Sequence, residues 1–515
     1  MKRNLFVGAF LALSSLFAFA QADDFDALAA GSADAPSDAQ AAPAASAGLL
    51  KWSGDQEFAW RWGAAENPTR TGGSVDGTVS GEYKLGDLKV VGAALERNGE
   101  FVPGETALYF APGAFKFGVG YQEFSWGLAD KKNPTDTLNA RDYRYGADAP
   151  RLVNLAASAA WYPAEWLSVE GVYEPWKDLS QFPKDFRSNT QAGLDAGRAA
   201  LVGQGLGALL TGYHPVVTAE GTVQDFANPV YGARANFFLP GLDVSLSYVY
   251  DRDTYYTPVV TMSAIGVPGN ALYLGSPAMN WYLPGTIDLV LKRIHRLGVN
   301  AKTTIDRYGL WVESAYNVTE DPAGTDDGLR NSKLSWTTGF DFNFGPESAY
   351  YLNVQYAGEW VLGYDASTLS DYTASPTVAQ MADKAYMTRR TLRSMVQSLG
   401  SETEEWMHTG TASVKFPLAD NLVTPSFSGA VIVPVGYDST VQTRVASAFL
   451  KPEIDWMPAD GVHVLFGADL AYGWVKKAGS SDVTLDTTTD KLGVYTPQNN
   501  VYVKVQYKWN GSVGN

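Results

Sequence analysis

The sequence predicts an all-β protein: a transmembrane, antiparallel, up-and-down β-barrel of about eighteen strands, with fourteen or sixteen also compatible with its turns. Three observations predict it. Stretches of about ten residues alternate apolar and polar side chains, so one face of each strand is oily and the other wet. Short connections rich in Pro, Gly and Asp take turns with long ones. Finally, a chain of 515 residues with 13% aromatics and 51 glycines has no apolar helix of about 18 residues beyond its first segment.

That first segment reads as an export signal. Lys2 and Arg3 are followed by apolar Leu5 to Phe19, and Ala18-Phe19-Ala20 supplies the small residues a signal peptidase reads before Gln21. Residues 1–20 are therefore expected to be removed. Residues 21–50 are mostly Ala, Asp, Ser and Pro, too poor in large apolar groups to offset their ordering entropy, and read as a flexible periplasmic tail, with a lumen plug as the alternative. The absence of cysteine excludes a lipobox anchor and a disulfide framework. A net charge of −16 disfavours nucleic acid as a partner.

The barrel is expected over 51–509, with 510–515 as a short C-terminal extension. Phe58, Trp60 and Trp62 open the alternation. Leu242, Val244, Leu246, Tyr248 and Tyr250 continue it against Asp243, Ser245 and Ser247. Leu334, Trp336, Phe340, Phe342 and Phe344 do so against Ser335, Thr337, Asp341 and Asn343. In the last strand Val501, Val503, Val505, Tyr507 and Trp509 face lipid, and Tyr502, Lys504, Gln506 and Lys508 face the lumen. Tight turns fall at Leu85-Gly86-Asp87, Pro112-Gly113, Pro163-Ala164, Pro240-Gly241, Gly345-Pro346-Glu347, Ala419-Asp420-Asn421 and Pro458-Ala459-Asp460-Gly461. Between them lie long loops at 123–150, 175–228, 251–287, 361–408 and 475–498.

In signal, alternation and turn rhythm, the chain resembles the porin-like outer-membrane β-barrels of diderm bacteria. The resemblance implies an outer-membrane location, contact with membrane lipid and outer-leaflet glycolipid, and an assembly signal in Val501, Val503, Val505, Tyr507 and Trp509 that the barrel-assembly machinery reads. Within "FSWGLADKKNPTDTLNARDYRYG", residues Trp126, Gly127, Asp130, Asn133, Pro134, Asp136, Leu138 and Asn139 resemble a W-G-x-x-D … N-P-x-D-x-L-N segment of a poorly characterised family of such barrels.

The resemblance implies a channel for small solutes; the alternative is a structural or adhesive surface barrel with a closed lumen. The Asn-Pro and Asp spacing favours self-capping turns, so a rigid loop is expected. Folded inward, Asp130, Asp136, Arg141, Asp142 and Arg144 would bring both signs of charge to a constriction. Asp130, Asn133 and Asp136 lack the EF-hand spacing. A helix is expected over 376–399, capped by Ser375 and interrupted at Thr388. Its Val378, Met381, Ala385, Leu392, Met395 and Leu399 form one stripe, and Lys384, Arg389, Arg390 and Arg393 are a candidate positive ladder if that stripe packs on the inner wall. The bland reading is a helix over the barrel mouth with solvated charges. A second helical pattern, 189–213, reads as a loop folded on the rim or as an apolar latch. The histidines are scattered, no nucleophile elbow occurs, and neither catalysis nor a cofactor is expected.

Overall fold

The computed structural model describes residues 48–514 apart from 64–71, 98–99, 130–131, 145–149, 183–184, 222–225, 273–274, 365–375, 401–403, 436–441, 478–479 and 486–491. The expected export signal and nearly all of the expected tail therefore lie outside the described residues, as do Asp130 and Ser375.

A nineteen-stranded antiparallel sheet closes on itself. Eighteen strands form the ring, and the three-residue strand Val483–Leu485 pairs only onto Val462–Lys477. Closure is made by Leu49–Gly63 against Asn500–Gly514, in unbroken register from Leu49↔Gly514 to Gly63↔Asn500. The barrel therefore runs from 49 to 514 rather than 51–509. The expected extension after Trp509 is strand as far as Gly514, because Leu49 to Ser53 offer it a paired edge.

The outer face follows the alternation. Phe58, Phe117, Val119, Leu246, Val431, Val501 and Tyr507 are all more than two-fifths exposed. Aromatic residues gather at both ends of this apolar band, as membrane barrels require. Toward the tight turns, Phe115 stacks on Trp161 at 6.4 Å and Phe344 meets Tyr350 at 5.5 Å. Toward the long loops, Tyr173 meets Tyr231 at 5.6 Å and Trp360 lies flat on Trp406 at 5.0 Å.

Many wall glycines sit directly opposite an aromatic residue whose side chain lies across them. The cross-strand pairs are Trp52↔Gly511, Gly54↔Trp509, Trp336↔Gly358, Trp311↔Gly339 and Gly467↔Tyr502. A Cβ added at Gly54 would collide with the Trp509 ring, and one at Gly358 with Trp336. The ring covers backbone that a glycine leaves bare. Trp509 thus seats the last strand on the first.

The expected turns hold, with two adjustments. Ala164 still pairs with Leu167, which moves that turn to Glu165-Trp166. An unread turn at Asp306-Arg307 joins Arg293–Ile305 to Tyr308–Val318; it contains neither Gly nor Pro, and Asp306 itself takes the left-handed conformation with φ 56°.

Three long loops contain more order than expected. Val216–Ala219, Thr257–Val267 and Met279–Val290 form a separate three-stranded sheet, in which the first strand pairs parallel to the third. Three helices accompany it: α1 (Phe186–Leu201), α2 (Val378–Ala382) and α3 (Lys384–Gly400). These elements lie at the end of the ring opposite the tight turns and make up a cap.

Candidate functional site

After Gln122 the chain turns into the barrel. Asn139 fixes the neck: its Oδ1 accepts from Phe124 N at 2.7 Å, and its Nδ2 donates to Gln122 O at 3.2 Å and Leu152 O at 2.8 Å. Beyond the neck, wall side chains bind the loop's backbone. Asn300 Nδ2 donates to Trp126 O at 2.7 Å, and Thr337 Oγ1 to Lys132 O at 2.7 Å. Glu313 Oε2 accepts from Leu128 N at 2.8 Å, and from Ala129 N and Thr135 Oγ1 at 3.4 Å. Asn154 Nδ2 and Lys177 Nζ hold Leu138 O and Thr137 O at 3.0 and 2.7 Å. Lys132 forms an ion pair with Glu359. Apolar contact completes the attachment, with Trp126 and Leu138 buried among Ala156, Val172, Val230 and Val249. The inner face of Gly232 makes room for them: a Cβ there would stand 2.9 Å from the Trp126 ring.

The expected inward, rigid loop is therefore present, and four of its expected charges are close together. They are neutralised by one another. Asp136 bridges Arg141 at 2.5 Å and Arg151 at 2.7 Å, and Asp142 takes both Nε and Nη2 of Arg144, at 2.8 and 2.7 Å. Arg151 belongs to this cluster although no local feature of the sequence singles it out.

The helix over the expected 376–399 differs in three respects. Thr377, not Ser375, caps α2, in a reciprocal capping box with Gln380. The break falls at Asp383 rather than Thr388, since Asp383 has extended ψ 106° and its carboxylate then caps Tyr386 N at 3.1 Å. Its apolar stripe does not pack on the barrel wall. Met381 packs, with the neighbouring Met387 outside the stripe, against Leu210, Tyr213, Ile265 and Trp281, while Met395 and Leu399 join Val217, Ile287 and Leu289, so these stripe residues cover the cap's own sheet. The expected ladder is likewise anchored within the mouth: Arg389 and Arg393 converge on Asp327 at 2.8 and 2.9 Å, and Lys384 is exposed. Arg390, also on α3, is partly buried. The second helical pattern begins earlier than expected, at Phe186. Its tail, Leu210 and Tyr213, is in the cap core, which is neither a rim loop nor a free latch.

An aromatic run joins lumen loop and cap. Tyr143 stacks on Phe182 at 5.0 Å, Phe182 meets Phe186 at 5.1 Å and Tyr255 at 5.6 Å, and Arg330 lies over Tyr255 at 4.5 Å while holding Asp253 at 2.9 Å. Burial, with the neighbouring Tyr255, pushes the Tyr143 phenol up to about 12, so it stays a neutral hydroxyl.

The remaining polar chemistry is dispersed. His295 and His408 face outward and hydrogen-bond Tyr248 and Tyr356 at 2.8 and 2.7 Å, and His463 pairs with Asp455 at 2.8 Å. Among the described residues no three His, Cys, Asp or Glu side chains converge as metal ligands.

No family model and no curated protein matches the chain. Solved structures resemble it loosely. OccK11 (OpdR) of Pseudomonas aeruginosa is 10% identical at a TM-score of 0.43, covering 91% of this chain and 98% of its own. OpdK of the same organism is 8% identical at 0.43, covering 90% and 99%. OmpT of Vibrio cholerae, an outer-membrane protein in trimer form, is 11% identical at 0.35, covering 90% and 100%.

Proposed function

We propose that the chain is a porin-like outer-membrane channel that passes small polar solutes through a lumen narrowed by residues 124–141. The observation that carries this reading is the attachment of that loop: Asn300, Glu313 and Thr337 face inward from the wall and bind its backbone. A constriction needs such fixing, whereas a loop that recruits outside partners does not. Mutual pairing of Asp136 with Arg141 and Arg151, and of Asp142 with Arg144, leaves a strong local dipole and little net charge. Polar solutes are then favoured over any one sign of ion. Lipid and outer-leaflet glycolipid surround the aromatic bands, and the strand ending Val501, Val503, Val505, Tyr507 and Trp509 is what the barrel-assembly machinery receives.

The competing reading, a closed surface barrel whose loops make adhesive contacts, draws on the cap, which has a packed core of its own. Purified protein in planar bilayers separates the two. Stepwise conductance at neutral pH supports the channel, and a flat record from correctly folded, heat-modifiable protein supports the surface barrel.

A further inference from the structure

Buried polar atoms without partners mark places where the described atoms are not the whole site. Five such oxygens occur where the lumen loop is clamped; Asn154 Oδ1 and Glu174 Oε1 lie by Leu138, and the other three gather at the turn from Trp126 to Asn133. Glu313 and Asn300 lie directly opposite each other on adjacent wall strands and are 0% and 2% exposed. Glu313 Oε2 binds Leu128 N and Asn300 Nδ2 binds Trp126 O, so each side chain uses one atom on the same short turn of the loop. Their other oxygens, Oε1 of Glu313 and Oδ1 of Asn300, are buried with no hydrogen-bond partner. The third is Oδ1 of Asn133, whose Nδ2 donates to Ala129 O at 3.1 Å. That oxygen is pressed against Gly127, where any Cβ would overlap it. Gly127 is thus required by the position of the Asn133 carboxamide, between the residues that Asn300 and Glu313 hold.

The charge is as incomplete as the hydrogen bonding. Among the described residues no lysine or arginine pairs with Glu313. The nearby cations have other partners: Lys132 and Lys333 are on Glu359, Arg234 is on Glu170, and Arg141 and Arg151 are on Asp136. A buried carboxylate without a counter-ion is unfavourable unless something neutralises it.

We infer that a hard, oxygen-liganded cation of the calcium kind binds between Glu313, Asn300 and Asn133 and pins the lumen loop to the wall. The donors are one carboxylate and two carboxamide oxygens, with no nitrogen or sulfur, which suits calcium rather than a transition metal. Magnesium, which demands a near-octahedral shell and gives up its water reluctantly, is the poorer match for a site of three side-chain oxygens. With a single carboxylate, affinity belongs at the weak end, on the order of 10⁻⁴ to 10⁻³ M. The inference stands whether or not the barrel conducts.

Terbium(III), which takes the same oxygen ligands and is sensitised by indole, is the probe, because Trp126 is buried beside the site. Full-length protein in detergent near neutral pH should show saturable terbium luminescence excited through tryptophan, displaced by calcium at lower concentration than by magnesium. Glu313→Gln keeps an acceptor for Leu128 N but removes the charge, and should weaken that component about tenfold or more. Glu453→Gln, which alters a wall carboxylate held by the Tyr502 hydroxyl and away from the loop, should leave it intact. If Glu313→Gln loses heat-modifiable mobility, Asn300→Leu serves in its place. Absence of a calcium-displaceable component in the wild type, or its persistence in both Glu313→Gln and Asn300→Leu, overturns the site.

Discussion

The lumen loop and the cap are long connections on the same side of one barrel, and they are held by opposite means. The lumen loop is bound chiefly through its backbone, by wall side chains as far apart in sequence as Asn154 and Thr337. The cap buries Trp281, Leu210, Ile287 and Met395 among its own elements. The difference teaches what each can do. A segment fixed by directional hydrogen bonds to a rigid ring has its position set by that ring, as a constriction requires. A small sheet and helices with their own core can loosen without the ring noticing.

The largest test of this division is Trp281→Ala. Trp281 is 1% exposed at the centre of the cap core, and removing such a side chain costs about 3–5 kcal/mol. The cap should become protease-sensitive in 186–219 and 257–290, while the barrel keeps its heat-modifiable mobility. Joint loss of both would mean that cap and ring are one cooperative unit. The reciprocal change, Glu313→Leu, strands Leu128 N and Ala129 N in the wall, at about 1–3 kcal/mol for each unsatisfied donor. Single-channel current should rise and become noisy as the loop leaves the wall, with the cap's protease resistance unaltered. Quiet wild-type currents from this variant would show that Trp126, Leu138 and the remaining hydrogen bonds suffice.

How far these regions were legible in the sequence follows from how each is held. The ring was legible because alternation is local: the outward set Leu334 to Phe344 and the inward set Ser335 to Asn343 can be read from one strand alone. The turn at Asp306-Arg307 was not, since it relies on aspartate's tolerance of left-handed φ rather than on Gly or Pro. Nor was the cap sheet, whose Val217 pairs with Ile287 across seventy residues of chain. The loop's rigidity could be read from its Asn-Pro and Asp spacing, but its clamps could not. In "YGLWVESAYNV" Glu313 is one more polar residue at an inward position, and nothing local separates an acid facing water from one that accepts Leu128 N. Arg389 and Arg393 were visible as a pair on one helix, whereas Asp327, which they share, comes from another loop.

Selectivity gives a smaller and more pointed contrast. Asp136→Asn removes the negative charge that Arg141 and Arg151 share in the lumen, so the zero-current potential across a salt gradient should move toward anion preference. Replacing Arg389 and Arg393 with Gln leaves Asp327 without those two cations at the mouth and should move it toward cations, by less, because Arg389 is 58% exposed and better screened. Both shifts should shrink as the Debye length falls from about 10 Å at 0.1 M salt to about 3 Å at 1 M. Equal shifts would place the two clusters at one constriction and erase the distinction between loop and cap.

The smallest effect concerns the entrance to α1 and tests the cap's independence with least disturbance. Asp185 caps that helix: its carboxylate accepts from Ser188 Oγ at 2.6 Å, Ser188 N at 3.3 Å and Arg187 N at 3.0 Å. The Ser188 hydroxyl and N–H hold its pKa below the ordinary 3.8. A carboxyl whose folded pKa is depressed contributes stability that is present above the unfolded value and is lost as pH falls through the folded one. The group is almost fully exposed, so that electrostatic contribution is strongly screened, and Asp185→Ala should cost about 0.5–1 kcal/mol at neutral pH. Hydrogen exchange of the first-turn amides, normalised for intrinsic rate, should be faster in the variant at neutral pH. The difference should fade as pH drops below 3.8, because protonation removes the same cap from the wild type. Exchange in the lumen loop, at Leu128 and Ala129, should not change at any pH. If it does, α1 and the Glu313 clamp are coupled through Phe186, Phe182 and Tyr143, and the cap is a lever on the constriction instead of a separate fold.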